Sequence, residues 1–173
     1  MLFKQLLAIA ALVTPVFVQG HSVQKRHDHK DSKCTDPISL AASVADLSTV
    51  VAALKASDLI PAIEAGDKWT FFLPTNDAFE KLPKGTVENL LKKKNKKQLQ
   101  NVLLNHVVKG KWGSNYLAHN GAKPSLYGDH LEVELDNDGD YYVNGIDITS
   151  RNIKACGAWV HLVDEVILPS DMM

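Results

Sequence analysis

The apolar residues of this 173-residue chain change their spacing part-way along, and that change restricts the fold class. Between Asp46 and Lys55, Leu47, Val50, Val51 and Leu54 recur at helical spacing. Between Lys97 and Val107, Leu99, Val102, Leu103 and His106 fall at i, i+3, i+4 and i+7, which puts His106 on a buried stripe. Beyond Gly110 the period drops to two, with Leu131, Val133 and Leu135 alternating with Glu132 and Glu134. Helices first and strands later predict an α+β class with a largely antiparallel sheet.

The segments between fit that order. Lys68 to Leu73 is rich in strand-forming residues and closed by Pro74, which predicts a buried strand. Ser57, Asp58 and Pro61 break the first helix before a short turn around Ile63. Thr75, Asn76 and Asp77 offer cap side chains for a short helix through Phe79, and Thr86 offers another. Asp136 to Asp140 looks at first like a calcium loop. Positions six and twelve counted from Asp136 are Tyr141 and Asp147, where such a loop needs glycine and glutamate, so a hairpin turn is predicted instead. Asn144-Gly145 predicts a second tight turn, with strands around Ile146, 152–156, 159–163 and 166–168.

A chain with 45% hydrophobic and 23% charged residues can build a core. Its net charge of −1 supplies no basic field for nucleic acid. Residues 1–20 read as a cleaved secretory leader: Lys4 gives a basic start, Leu6 to Val18 is an apolar run broken by Thr14 and Pro15, and small or modest side chains precede His21. No membrane span is expected, since a spanning helix needs about 20 apolar residues. Residues 21–35 read as a polar tail with a dibasic pair, Lys25-Arg26, that resembles a kexin- or furin-type processing site. Residues 36–169 form the expected domain and 170–173 a short end, with no anchor signal after Pro169. No Asn-x-Ser/Thr sequon occurs.

In an oxidising compartment Cys34 and Cys156 are most simply one bridge, closing a loop of about 120 residues; the alternative is two buried thiols. A chain starting at His27 after dibasic cleavage would carry His29 third, a set able to take Cu(II) or Ni(II), although a polar tail whose histidines hold nothing is the simpler reading. No other metal and no cofactor is expected.

The chain has no Gly-x-Ser-x-Gly, His-Glu-x-x-His, Gly-x-x-x-x-Gly-Lys or Cys-x-x-Cys, so nothing points to an enzyme. The sharpest interaction signal is Lys92, Lys93, Lys94, Lys96 and Lys97 around Asn95. Such a run either faces water at a helix junction or holds an acidic polymer.

Three boxes in order resemble the landmarks of the fasciclin-type extracellular adhesion domain. They are 70–79 (TFFLPTNDAF), 103–110 (LLNHVVKG) and 159–169 (WVHLVDEVILP), and 46–54 (DLSTVVAAL) is similar to that family's first long helix. The resemblance covers about 36–169 and implies a wedge of mostly antiparallel strands flanked by several short helices. It implies that His106 and His161 are buried core histidines. It further implies a secreted, extracellular or cell-wall-associated, non-catalytic adhesion or matrix module, or else a binder of anionic or cell-wall glycans without a bridging role. The partners implied are extracellular matrix, a cell-surface protein or a polysaccharide, with self-association as a further route to adhesion. Two motifs linked to integrin recognition in animal members differ here: Asn105-His106 stands for Tyr-His, and Asn152-Ile153 for Asp-Ile. Those four residues are candidate contacts, while the lost aromatic and carboxylate weigh against integrin.

Overall fold

The computed structural model describes residues 34–65 and 68–172. The expected leader, the dibasic pair, His27 and His29 lie outside the described residues.

The chain enters through α1 (Pro37–Ser43), whose start is fixed by Asp36: its carboxylate accepts the Ser39 N–H at 2.8 Å, and Pro37 sits where no amide partner is needed. A 3-10 turn at Ala45–Leu47 leads into α2 (Ser48–Ser57), which ends at Asp58 in a left-handed conformation. The short α3 (Ile60–Glu64) follows. Next comes β1 (Trp69–Pro74), buried throughout except at Trp69. Thr75 caps α4 (Asn76–Glu80) by accepting the Ala78 N–H at 3.3 Å. Thr86 does not cap α5 (Thr86–Leu90) as expected; Gly85, at φ 85°, occupies the cap position and Thr86 is the first helical residue. The next helix is α6 (Lys96–Asn105), then β2 (Val107–Lys109) and α7 (Ser114–His119).

The remaining elements are strands: β3 (Lys123–Pro124), β4 (His130–Leu131), β5 (Val133–Leu135), β6 (Tyr141–Val143), β7 (Ile146–Asp147), β8 (Ser150–Ala155) and β9 (Ala158–Val163). A four-stranded sheet has the order β2-β1-β9-β8. Its central pair, β1 and β9, is parallel and every other pairing is antiparallel. Both faces of that pair are covered, which suits two runs with few polar residues. The class is α+β with mostly antiparallel strands.

Alternation along the strands divides the core in two. Phe71, Leu73, Ala158 and Val160 face α2 and α6 with Val50, Leu54, Leu99 and Leu103. Phe72, Val108 and Val163 face the other way, against Leu117 of α7 and Val133, Tyr141 and Val143 of the small sheet. Asp136 to Asp140 is the hairpin turn between β5 and β6: the Asp136 carboxylate accepts the N–H groups of Asp138 and Asp140. Asn144 and Gly145, at φ 50° and 80°, turn β6 into β7.

Two strand expectations are corrected. The alternation at 131–135 is not one strand, because the Glu132 N–H goes to the Asn144 side chain at 2.8 Å, so that β4 pairs with β3 and β5 with β6. Leu135 is left 42% exposed at the end. Val166 to Leu168 is irregular. The Ile167 N–H and carbonyl are met by His106 and Asn105 side chains instead of a strand ladder.

Candidate functional site

The lysine run does not stay together. Asn95 donates to the Asn89 carbonyl at 2.7 Å, closing a 3-10 turn at Lys93–Asn95 just before α6. Gln100 donates to the Ser57 carbonyl at 2.8 Å and ties α6 to the end of α2. Between them opens a groove of about 480 Å³, lined by Lys55, Lys92, Lys93 and Lys96 over Leu90, Leu91 and Leu99, with Asp58 at its side. Lys96 is ion-paired with Asp58. Lys55, Lys92 and Lys93 take part in no ion pair among the described residues. Lys94 is exposed and Lys97 is exposed, and neither lines the groove. Lys55 joins the group from 37 positions upstream of Lys92, and no spacing in the sequence marks it.

Asn105 and His106 lie inside, 1% and 2% exposed. Asn105 donates to the Ile167 carbonyl at 3.3 Å and accepts the Ser125 hydroxyl at 2.8 Å. His106 donates from Nδ1 to the Val102 carbonyl at 2.7 Å and accepts the Ile167 N–H at Nε2. Those partners fix a neutral ring, and burial pushes its pKa down to about 4. His161 is likewise buried, its Nε2 donating to the Trp112 carbonyl at 3.2 Å; burial holds its pKa at about 4. Asn105 and His106 therefore present almost no surface to an outside partner and serve as internal struts, which corrects the expectation that they are contacts.

Asn152 and Ile153 part company. Ile153 packs against the larger core cluster. Asn152 is exposed and adopts φ 59° at a register shift in β8. Its Oδ1 accepts the Ser114 N–H at 2.9 Å and its Nδ2 donates to the Ser114 hydroxyl at 3.0 Å, so it caps α7 from a distant strand.

Cys34 and Cys156 are joined, with Cα atoms 5.3 Å apart across a separation of 122 residues. The bridge fastens the entry to α1 to the β8–β9 turn, where the Cys156 N–H also meets the Thr35 carbonyl at 2.9 Å. No group of three metal-ligating side chains occurs among the described residues. No single helix among them is long and apolar enough to cross a membrane. An apolar crevice of about 20 Å³ beneath α1 has room for no more than a water, and its one polar side chain, His106, has both ring nitrogens already engaged.

Comparison with known proteins places this geometry. Protein sll1483 of Synechocystis sp. is 42% identical over 132 residues, covering 76% of this chain and 72% of its own. Cell surface glycolipoprotein MPB83 of Mycobacterium bovis is 32% identical over 140 residues, 78% of this chain and 61% of that one. Human periostin is 31% identical over 125 residues, which are 72% of this chain but 15% of periostin. A solved FAS1 domain pair from the insect cell adhesion molecule fasciclin I superposes with a TM-score of 0.70 at 16% identity, over 79% of this chain and 52% of that one, and shares the fold. The Fasciclin domain family matches residues 45–169, which run from the 3-10 turn before α2 to the segment beyond β9, and the chain belongs to that family.

Proposed function

We propose that this chain is a secreted, non-catalytic adhesion or matrix-interaction protein that engages an anionic polymer of the cell surface, matrix or cell wall. Residues 1–20 are its leader, 21–35 a polar tail open to cleavage after Arg26, 36–169 the working domain and 170–173 a short end. Membership of the fasciclin family supports the adhesive role, and two relatives carry names that refer to a cell surface or a cell adhesion molecule. The single observation that carries the choice of partner is the groove in which Lys55, Lys92 and Lys93 stand without carboxylate partners among the described residues over an apolar floor. Ammonium groups over Leu90, Leu91 and Leu99 favour a polyanion that also has an apolar face, as a sugar ring does. The same observation favours a second reading, in which the protein captures acidic or cell-wall glycans without bridging cells.

The test is retention of the purified protein on isolated cell-surface and matrix material across a salt series. Binding that weakens as salt rises, and weakens further in Lys92→Gln/Lys93→Gln, is expected. No binding at any salt overturns the adhesive reading. Binding indifferent to salt and to those lysines overturns the groove and moves the contact toward the exposed Asn152.

A further inference from the structure

The face of the large sheet turned away from the groove carries a second cationic surface of a different kind. Lys154 is the cross-strand partner of Trp159, so both side chains stand on the face that bears Phe72 and Val163. The half-buried Trp159 ring has the Lys154 ammonium 5.7 Å and the Lys111 ammonium 5.6 Å from its centre. Next along the chain, Trp112 stacks on Tyr116 with ring centres 4.7 Å apart and planes 12° off parallel. The Lys123 ammonium lies 5.7 Å from the Tyr116 ring, which is 42% exposed. Two clusters, Trp159 with Lys111 and Lys154, and the Trp112–Tyr116 stack with Lys123, are thus joined through the consecutive residues Lys111 and Trp112 into one strip.

The platform is held rigid from below. The Trp112 N–H goes to the Thr70 hydroxyl at 2.9 Å, its carbonyl accepts His161, and its indole N–H donates to the Lys109 carbonyl at 2.9 Å. The indole lies so close over Gly110, at φ 107°, that a Cβ there would stand 2.3 Å from its ring nitrogen. Only glycine permits that approach. The lysines, in contrast, are loosely committed. Their distances fall at the outer edge of the range for a cation over a ring. Among the described residues none of the three takes part in an ion pair, and only Lys123 makes a hydrogen bond, to the Asn120 carbonyl at 2.9 Å.

We propose that this strip binds an acidic polysaccharide built of uronic-acid units. A pyranose lays its C–H face on Trp159 or on the exposed Tyr116 ring, while its carboxylate, one bond outside the ring, lies at Lys111, Lys154 or Lys123. Charge complementarity selects this occupant. A neutral glycan leaves three ammonium groups that have no ion pair among the described residues without a counter-charge, whereas a chain with a carboxylate on each unit offers one to each. The strip stands independently of the groove. If both hold, one copy grips two anionic chains from opposite sides of its central sheet and bridges them without dimerising, a consequence that rests on the groove reading above.

The test is a tryptophan-fluorescence titration of the mature full chain with oligogalacturonate, beside a neutral galactan oligomer of equal length, a sulfated neutral glycan and single-stranded oligothymidylate. The expected result is saturable quenching by oligogalacturonate that weakens roughly tenfold or more in Lys111→Gln/Lys154→Gln. Affinity is expected to stay unchanged in Lys92→Gln/Lys93→Gln. Both pairs are exposed, and thermal unfolding confirms that each variant is folded. Absence of oligogalacturonate binding overturns the proposal, as does equal affinity for the neutral oligomer. Tighter binding of the sulfated glycan or the oligonucleotide overturns it in favour of that ligand. A loss that follows Lys92 and Lys93 returns the glycan to the groove and removes the strip.

Discussion

The Nε2 atom of His106 accepts the backbone N–H of Ile167 at 2.9 Å, joining the end of α6 to a segment 61 residues further on. The acceptor exists only while the ring is neutral. His161 makes the same demand, since its Nδ1 faces the Asn152 N–H at 3.4 Å.

Acid should therefore loosen the fold through these two rings. Each has a folded pKa of about 4 against 6.5 unfolded, so between those values the unfolded chain binds more protons. The contribution is intact above pH 6.5 and lost as pH falls toward 4, on the order of 3 kcal/mol for each ring. Urea unfolding at a series of pH values measures it. A stability that stays flat from neutral pH to about 4.5 contradicts this assignment.

Asn105 should prove structural. Asn105→Leu leaves the Ile167 carbonyl and the Ser125 hydroxyl without their partner in the interior, a loss of about 2–4 kcal/mol. Asn105→Asp turns an oxygen toward the Ile167 carbonyl and buries a charge, and is expected to cost at least as much. Denaturation midpoints read both. If either variant is as stable as the parent and loses binding alone, the residue is a contact after all.

Asn152 carries two burdens that can be separated. Asn152→Ala removes the α7 cap and puts at φ 59° a residue without the short polar side chain that eases the left-handed conformation, together about 2 kcal/mol. Asn152→Asp keeps an acceptor for the Ser114 N–H and a residue type tolerant of that conformation, so its cost should stay below about 1 kcal/mol. Amide hydrogen exchange in α7 should quicken in the first variant and hardly change in the second.

Opening the Cys34–Cys156 bridge should lower stability by about 4–5 kcal/mol on loop-closure grounds, given its separation of 122 residues. Comparing the urea midpoint of Cys34→Ser/Cys156→Ser with the oxidised parent measures this. A thiol titration of the unfolded, unreduced protein should find none at these two positions.

Much of this architecture was legible in the sequence because local rules and tertiary packing agreed. Leu47, Val50, Val51 and Leu54 showed their helical stripe, and 69–74 its strand, since each buries the face its spacing declares. Asn144-Gly145 announced its turn through backbone geometry alone. Val166 to Leu168 misled because an apolar run says nothing of where its amides find partners. Here they find side chains from a helix end more than 60 residues away. Within the candidate sites the lysine run was visible as a run, but Lys55 was not, because only the packing of α2 on α6 brings it across. Lys111, Trp112, Tyr116, Lys123, Lys154 and Trp159 are scattered over 49 positions and come together only when β9 pairs with β8 and the Gly110 turn lays Trp112 over the sheet.

The neighbours at the middle of the large sheet are far apart in the order of synthesis. Trp69 lies beside Ala158, and Pro74 beside Val163. A chain emerging from its N-terminus has been made through β1 and α7 well before β9 exists. Through that interval Phe71, Phe72 and Leu73 sit on a strand with one edge unfilled, the arrangement most prone to pair with a neighbouring chain. Among the described residues the last strand to be made is thus the one that closes the first, and a chain cut short before it leaves that edge without its partner.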